Sequence, residues 1–593
     1  MKLFECAWRE GYEYFERVWD PVLKRSTKNK INLPHEWYEP NSSGLYSSIS
    51  DPEMKFEKKQ GRSRDGRNHY GFTDPIYRSI RDNYWGANYN KSPRIFYLDI
   101  ETRSGRSYKH AAIGDLTIKN IRTNKESTLS IKEIQGIFYN IGEADFHFLE
   151  DNEWKPLRDN FYMQRNKGFP KPDLALEEIS MFQIFDSETN QVIMLATREW
   201  KHQKDYEHLM EYPVKYIVAE SEIKMIELYI QIFKKLNPLI IYAWNGLGFD
   251  YPYIFNRMKR LGMDTNQISN YGEVKLQESE FQGKIEFKIT TPGHHYLDMM
   301  DVYRKFILAP RASYSLDYIT ELELKENKVQ HSEYAQFDHF YLGTYNIPEN
   351  PTREQKNSKI YQLAVNEGIT EEVRELGHSE FCWYSYKDPL LIMKLDRKLN
   401  FTDLIMTASQ KMGVLISDSF GTVRPWSQYI SNIAAQSNQV LPGRVDHEQP
   451  SVTGGYVRDP VRGKMHWVLS ADVRSMYPNV MIAYNMSPET IREINELPGE
   501  LRDVILAYFN DQDESKLLDY PEEVWNHTSA LLTKHNLAMG INGAIFTRNE
   551  TGLLPRLLQE IYLDRVETRK IENKYRNRKM LIEEIIHSRG ISE

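Results

Sequence analysis

The sequence predicts a multi-domain protein of the α/β class. The chain has 593 residues, which is too many for one hydrophobic core, so we expect about two to four domains. Between residues 95 and 244, buried-strand patterns alternate with a helical pattern, as in α/β folds. Carboxylates follow several of the predicted strands. The prediction is therefore a set of domains, at least one of which has an α/β core.

Composition narrows the classes of function. Apolar residues make up 40% of the chain and charged residues 27%, which is typical of a soluble globular protein. The net charge of −8 argues against a histone-like binder held mainly by phosphate contacts, but it suits an enzyme with an acidic metal site. Cys6 and Cys382 give no disulfide framework and no zinc ligand set. Without a secretory signal or a long apolar run, we expect a cytoplasmic protein with no membrane partner.

The first elements in order are strands and one helix. IFYLDIET (95–102) predicts a buried strand that ends in acids, and LIIYAW (239–244) predicts a second one. Strand patterns also occupy residues 177–198. Between them, residues 221–238 predict a helix that ends at Pro238. The apolar face of this helix is expected at Ile223, Ile226, Tyr229, Ile230 and Phe233.

The later elements are a hairpin, two helices and a strand. Residues 271–290 predict a hairpin that turns near Gln282 and Gly283. Residues 383–399 are expected to be mostly helical, with Pro389 disturbing the start of the helix. HWVLSADVRSMYP (466–478) predicts an apolar strand that runs into an acid, and residues 555–586 predict one long charged helix.

Three short segments could form an active site. Asp99 and Glu101 are two apart on a predicted strand, so their side chains share a face. Asn245 and Asp250 flank two glycines after the second strand, and Tyr384 and Asp388 share a helix face. Each segment alone also has a purely structural interpretation: the first as a solvated strand end, the second as an ordinary turn and the third as a surface helix.

Taken in order, D-x-E, N-x4-D and Y-x3-D resemble the DEDDy 3′→5′ exonucleases. The resemblance implies hydrolysis of a phosphodiester with two Mg²⁺ ions, for which Mn²⁺ could substitute, held by hard oxygen ligands. Asp99, Glu101, Asp250 and Asp388 would be those ligands. Tyr384 would orient the attacking water, and Asn245 would hold the DNA strand or support the ligands.

Residues 470–491 resemble motif A of the family B DNA polymerases, D-x-x-S-L-Y-P-S-I, in the version found in T-even-type phages. Met476 and Asn479 are mild departures from that pattern. The resemblance implies that Asp472 binds both catalytic metals and that the backbone near Ser475 and Met476 cradles the triphosphate. Tyr477 would exclude a 2′-hydroxyl. The competing interpretation is a buried strand that ends in a turn.

Two flanking segments extend this resemblance. TGGYVRDPVRG (453–463), with Gly454 and Gly455, resembles the segment that precedes motif A and touches the template. Residues 541–570 resemble the passage from palm to fingers, which implies that Arg565 and Arg569 bind the triphosphate of a dNTP. On pattern alone, a solvated basic helix is the alternative.

The resemblance also implies a domain order. We expect a mixed α+β N-terminal domain at 1–93, completed by 400–443, and an RNase H-like exonuclease domain at 94–399 with an insert at 106–167. The N-terminal part of the palm would follow at 444–550, and the start of the fingers at 551–593. The hairpin at 271–290 falls where the family has a strand-separating hairpin.

Motifs B and C of the family do not occur in this sequence. We therefore expect the N-terminal portion of a phage replicative DNA polymerase, with a complete exonuclease and half of a nucleotidyl-transfer site. A C-terminal polypeptide with motifs B and C and the thumb would complete it, and would carry the sliding-clamp contact. The other expected partners are primer–template DNA, single-stranded DNA and dNTP, in the cytoplasm of an infected bacterium. The alternatives are a truncated polymerase, a stand-alone exonuclease, and an RNA- or DNA-binding module with a vestigial palm.

Overall fold

The structure is a computed structural model, and it describes most of the chain. The described residues are 3–49, 53–61, 70–87, 91–103, 116–120, 126–129, 154–156, 177–281, 284–334, 337–442, 461–473, 475–509, 520–540 and 543–589, with a few single positions between 123 and 175 and at 459. Gly454, Gly455, the turn of the hairpin at Gln282 and Gly283, and most of the insert lie outside them.

The strands, numbered in chain order, are β1 (Leu3–Glu10), β2 (Glu13–Asp20), β3 (Arg25–Lys30), β4 (His35–Pro40), β5 (Tyr46–Ser48), β6 (Lys55–Gly61), β7 (Tyr70–Thr73), β8 (Ile95–Thr102), β9 (Leu116–Asn120), β10 (Glu126–Leu129), β11 (Trp154–Pro156), β12 (Ile179–Asp186), β13 (Gln191–Ala196), β14 (Val214–Val218), β15 (Ile240–Ala243), β16 (Lys275–Phe281), β17 (Lys284–Thr290), β18 (His295–Asp298), β19 (Gln439–Val440), β20 (Ile491–Arg492), β21 (Leu537–Met539) and β22 (Ile545–Thr547).

The α-helices are α1 (Pro75–Ser79), α2 (Gln203–Tyr206), α3 (Glu222–Leu236), α4 (Asp250–Arg260), α5 (Met299–Phe306), α6 (Leu316–Leu324), α7 (Phe337–Leu342), α8 (Arg353–Asn357), α9 (Lys359–Glu367), α10 (Glu371–Leu399), α11 (Phe401–Met412), α12 (Val423–Gln436), α13 (Met476–Tyr484), α14 (Gly499–Tyr508), α15 (Glu522–Lys534) and α16 (Leu553–Ser588). A π-helical turn occupies Ile80–Tyr84, and 3₁₀ turns occupy Glu207–Leu209, Thr265–Ile268, Ile416–Asp418, Pro488–Thr490 and Ile494–Glu496. No helix among the described residues has the length and apolar character needed to cross a bilayer.

The chain forms two compact units, Met1–Leu33 with Pro75–Tyr429, and Pro34–Asp74 with Ile430–Glu593. The predicted N-terminal domain, 1–93 with 400–443, is divided between these two units, and the domain boundaries stay a prediction. Within the first unit, β1, β2 and β3 form a small antiparallel sheet. In the insert, β9 pairs antiparallel with β10 and β11.

The centre of the first unit is a six-stranded sheet in the order β14-β13-β12-β8-β15-β18. Strands β8, β15 and β18 run parallel, whereas β12 is antiparallel to both of its neighbours, β8 and β13. Side chains alternate across β8, as strand geometry requires. Phe96, Leu98 and Ile100 pack in the core with α3 and α4, and Ile95 and Tyr97 pack in the core with α10.

Helix α3 forms where the sequence predicts it. The Ser221 hydroxyl accepts a hydrogen bond from Lys224 N at its start, and Asn237 ends it in the left-handed conformation. One predicted core residue is wrong, because Ile223 is 42% exposed whereas Met225 is buried. At 100° per residue, Ile223 falls at the edge of the stripe that Met225 and Phe233 define.

The hairpin and the long helix follow the predictions in part. Strands β16 and β17 pair antiparallel from Lys275 opposite Thr290 to Phe281 opposite Lys284, as predicted. Helix α10 begins earlier than predicted, at Glu371 after the cap residue Thr370, and it continues through Pro389. The prediction that Pro389 disturbs the start of the helix is therefore wrong. A proline removes one backbone hydrogen bond from a helix, but most residues around Pro389 are buried, and their tertiary packing keeps the helix continuous.

The second unit contains a sheet of order β19-β5-β6-β4-β7 and a smaller one of order β20-β22-β21. The strand expected at 466–478 is wrong. Its described residues from 466 to 473 are exposed and form no strand, and α13 begins directly after Ser475. An apolar strand needs a neighbour for its backbone hydrogen bonds, and the described part of this unit places none beside it. The long charged helix is confirmed as α16.

Candidate active site

Three carboxylates from two elements meet beside the central sheet. Asp99 and Glu101 lie on β8, on the face that packs with α10, and Asp388 lies on α10. One oxygen from each of the three lies within 4.8 Å of the others. Glu101 and Asp388 are buried, being 6% and 1% exposed. The structure thus brings together acids that are 287 residues apart along the chain, from 101 to 388.

Asp250 lies beside this group, at the start of α4. It is buried, and its Oδ1 accepts a hydrogen bond from the backbone N–H of Ile100 at 3.2 Å. Burial raises the pKa of Asp250, and Asp99 is close enough that its carboxylate raises this pKa further. The partial positive charge at a helix N-terminus stabilises a carboxylate there. Asp250 therefore adjoins the carboxylates of β8 without belonging to the three-oxygen cluster.

The loop before Asp250 is held by its glycines and by a second aspartate. Asn245 is exposed and has φ = 60°, in the left-handed region. A Cβ on Gly246 would lie 2.7 Å from the ring of Tyr251, so any other residue here would have to displace that ring. Asp298, at the end of β18, accepts hydrogen bonds from Asn245 N at 3.0 Å and Leu247 N at 3.2 Å. Sequence reasoning missed Asp298.

Lys328 is a second residue that sequence reasoning missed. Its Nζ lies 2.5 Å from Asp388 Oδ2 and donates to Tyr384 OH at 3.1 Å. The backbone N–H of Lys328 donates to Asp317 Oδ1 at 2.8 Å, which fixes the loop that carries it. No pattern around residue 328 indicates this contact, because the loop reaches α10 through tertiary folding.

Gln183 is the third missed residue. It lies on β12 directly opposite Asp99 on β8. Its Nε2 donates to Asp99 Oδ2 at 2.7 Å and to Glu101 Oε1 at 3.1 Å. A signal existed here, since a glutamine in the apolar run ISMFQIFD is unusual for a buried strand.

Burial and mutual repulsion raise the pKa values of the acids. Burial and then the Asp388 carboxylate raise the pKa of Asp99 to about 7, although Lys328 and Gln183 oppose the shift. Burial and Asp99 raise the pKa of Glu101 and of Asp250 well above the usual values. Burial also raises the pKa of Asp388, against the opposing charge of Lys328.

The donor set fits a hard divalent cation. Carboxylate oxygens are the ligands that Mg²⁺ and Mn²⁺ prefer. Asp388 Oδ1 is buried and has no hydrogen-bond partner among the described residues. Buried carboxylates that raise each other's pKa are a site where a dication relieves repulsion. Asp99, Glu101 and Asp388 are therefore the residues that could hold a metal, with Asp250 beside them.

The residues predicted for the polymerase site lie in the second unit. Asp472, Met476, Tyr477 and the two arginines of α16 are exposed. Ser475, with φ = 49°, lies directly before α13, and Arg565 Nη1 donates to its Oγ at 3.0 Å. The structure thus brings Ser475 and Arg565 together, whereas no described hydrogen bond joins Asp472 to either. Arg569 is one turn from Arg565 on α16.

Comparison with protein families identifies both parts of the chain. The model for the DNA polymerase family B exonuclease domain matches residues 161–319, and the model for DNA polymerase family B matches residues 426–585. The chain belongs to DNA polymerase family B. The first range includes Asp250. Lys328 lies just beyond its end, and Asp99, Glu101 and Asp388 also lie outside it.

Similar proteins include DNA polymerases of two phages and of Thermococcus litoralis. The DNA-directed DNA polymerase of Escherichia phage RB69 is 23% identical over 379 residues, which are 64% of this chain and 36% of that protein. The DNA-directed DNA polymerase of Enterobacteria phage T4 is 23% identical over 361 residues, which are 60% of this chain and 34% of that protein. A DNA polymerase of Thermococcus litoralis is 24% identical over 284 residues, 46% of this chain and 14% of that protein. The chain thus spans about a third of the length of the phage relatives.

Proposed function

We propose that the first unit is a 3′→5′ proofreading exonuclease that acts on the 3′ end of DNA. The observation that carries the proposal is the convergence of Asp99, Glu101 and Asp388 within 4.8 Å, with Asp250 adjoining. The match of the exonuclease-domain model supports it. The sheet, with one antiparallel strand inserted beside β8, supports the further proposal that the domain is RNase H-like.

The residues divide the work of hydrolysis. Asp99, Glu101, Asp250 and Asp388 would hold two Mg²⁺ ions, which when bound supply Lewis acidity for the attacking water and the leaving 3′ oxygen. Tyr384 presents its hydroxyl next to Asp388, where it can orient water by hydrogen bonding. Burial and the Asp388 carboxylate raise the pKa of Tyr384 well above its usual value, so the phenol stays protonated and can donate. Lys328 neutralises Asp388 when no cation does so.

We further propose that the second unit contributes part of a DNA-polymerising site. Asp472 would bind metal, Ser475 and Met476 would cradle the triphosphate, and Tyr477 would gate the sugar. The contact of Arg565 with Ser475 supports a shared triphosphate site, with Arg569 beside it and Gly454 and Gly455 near the template. Primer–template DNA and dNTP would be the substrates, in the cytoplasm of an infected bacterium.

A second palm aspartate would have to come from residues outside this sequence, since motif C does not occur in it. It could belong to the same polypeptide or to a separate C-terminal one, which would also carry the clamp contact. Mixing this chain with a polypeptide that carries motifs B and C should restore primer extension. Failure to extend any primer after co-purification would contradict the two-polypeptide arrangement and favour a stand-alone exonuclease.

The exonuclease proposal is tested with 5′-labelled single-stranded DNA and Mg²⁺. The wild-type chain should release nucleotides from the 3′ end. Asp99→Ala combined with Glu101→Ala should reduce this release to background, because both metal ligands on β8 are lost. Glu227→Ala is the matched acid-to-alanine control and should retain activity, because the Glu227 side chain on α3 is 39% exposed and forms an ion pair with Lys224. Full activity in the double variant would refute the assignment.

A further inference from the structure

Gln183 is a polar residue in a strand that is otherwise built for the core. Every residue of β12 is buried, and Gln183 itself is 0% exposed. Its neighbours on the same face, Met181 and Phe185, both belong to the core that packs with α10. A methionine or leucine would fit this environment without burying an amide. The amide therefore requires an explanation other than packing.

The hydrogen bonds of Gln183 all point to the acidic site. An amide nitrogen carries two protons, and Nε2 of Gln183 has two acceptors, Asp99 Oδ2 at 2.7 Å and Glu101 Oε1 at 3.1 Å. The other end of the amide, Oε1, is buried and accepts no hydrogen bond from the described residues. Half of the buried amide is thus left unsatisfied, which destabilises the fold. The favourable contacts of the Gln183 amide are therefore its two hydrogen bonds to the carboxylates of Asp99 and Glu101.

The geometry suits a bridge between metal ligands. Asp99 and Glu101 project from the same face of β8, and Gln183 reaches both from the strand opposite. One donor group shared by two acceptors restricts the rotamers of both carboxylates. A lysine could also bridge them, but its charge would oppose a dication, whereas the neutral amide leaves the negative charge of the site intact.

We propose that Gln183 is a positioning residue of the exonuclease site, which holds Asp99 and Glu101 in the orientation that binds the metal ion. The inference rests on the proposed exonuclease function. Loss of a partner that hydrogen-bonds a metal ligand lowers metal affinity or activity by roughly 10–100-fold. Gln183 acts through the carboxylates and needs no contact with DNA.

The test compares metal binding with stability in the full chain. Gln183→Met keeps the volume and removes both donors, and Gln183→Leu is the second variant in case the first does not fold. Mn²⁺ binding is measured by electron paramagnetic resonance, and the Mg²⁺ concentration for half-maximal excision is measured on single-stranded DNA. The Mn²⁺ dissociation constant and the Mg²⁺ concentration for half-maximal excision should each rise by about tenfold or more. The melting temperature without metal should change little, because loss of the two donors is offset by removal of the unsatisfied Oε1.

The control is Phe185→Leu, on the same face of β12 but opposite Tyr97 rather than a carboxylate. It should lower the melting temperature and leave Mn²⁺ affinity unchanged. The inference is overturned if the Gln183 variants bind Mn²⁺ with the affinity of the wild type. It is also overturned if they lower the Mn²⁺ affinity no more than Phe185→Leu does. If the wild type binds Mn²⁺ but degrades no DNA, the exonuclease proposal fails, and the Mn²⁺ measurement still decides the role of Gln183.

Discussion

Replacing Lys328 with methionine should destabilise the metal-free protein in a pH-dependent way. Lys328 Nζ lies 2.5 Å from Asp388 Oδ2, and the Asp388 side chain is 1% exposed. In Lys328→Met this carboxylate loses its counter-ion while it stays buried. The side chain of Lys328 is itself 24% exposed, which moderates the loss.

The loss in free energy of unfolding depends on how deeply the carboxylate is buried rather than on its distance from the lysine. Removing one partner of a buried ion pair costs about 3–5 kcal/mol, and the partial exposure of Lys328 lowers this to about 2–3 kcal/mol at pH 8. Lys394, on α10 like Asp388, also contacts carboxylates, those of Glu211 at 2.5 Å and Glu326 at 2.7 Å, but these side chains are 52% and 36% exposed. Lys394→Met should therefore cost less than about 1 kcal/mol. The two lysines form a matched pair that differs in the burial of the acid.

The pH dependence has a definite sign. The pKa of Asp388 is already raised by burial, and loss of Lys328 raises it further. Between the unfolded and the folded pKa values, the folded variant binds more protons, so its stability falls as pH rises through that window. The loss at pH 6 should therefore be smaller than at pH 8, by about 1 kcal/mol or more.

The assay is urea unfolding in EDTA at pH 6 and pH 8, for the wild type and both lysine variants. Mg²⁺ added at pH 8 should return most of the stability lost in Lys328→Met, since it neutralises the same carboxylate. An equal loss at both pH values, or a loss no larger than that of Lys394→Met, would refute the reasoning.

Three further predictions concern the same unit. Burial and the Asp388 carboxylate raise the pKa of Asp99 to about 7 without metal, so protons compete with the cation for this carboxylate. The Mg²⁺ concentration for half-maximal excision should therefore fall as the pH rises from 6 to 8, and a constant concentration would contradict the assignment. Gly246→Ala places a Cβ 2.7 Å from the Tyr251 ring and should cost about 1–3 kcal/mol in urea unfolding with loss of excision, whereas Gly499→Ala, with its nearest atom at 3.9 Å, should cost little. Deleting residues 106–167 should leave excision of single-stranded DNA intact, and its loss would show that the insert supports the site.

Sequence patterns predicted the elements whose signals are local. The burial of β8 and β15, the amphipathic stripe of α3 and the charge of α16 can all be recognised in short windows. The carboxylates could be ordered along the chain because strand alternation and helix periodicity fix which side chains share a face. These rules say nothing of how distant elements meet.

The missed residues depend on tertiary contacts. Gln183 reaches the acids because β12 pairs with β8 in one particular register, and a shift by one residue would turn its side chain to the opposite face. Lys328 reaches Asp388 because Asp317 holds its loop. The strand predicted at 466–478 fails for the same kind of reason, since apolar character alone does not supply a neighbouring strand.

The two proposed sites differ in how far the described residues organise them. Asp388 is 1% exposed and Asp250 is 2% exposed, and both are held by hydrogen bonds from Lys328 and Ile100. Such a site has its ligands in place before a metal arrives, so its affinity depends on partners such as Gln183. Asp472 is exposed in a segment without a strand, so packing does not fix its orientation. We therefore expect metal binding by this chain to be lost when the acids of β8 are replaced and to be unaffected by Asp472→Ala, and equal losses from both changes would contradict this division.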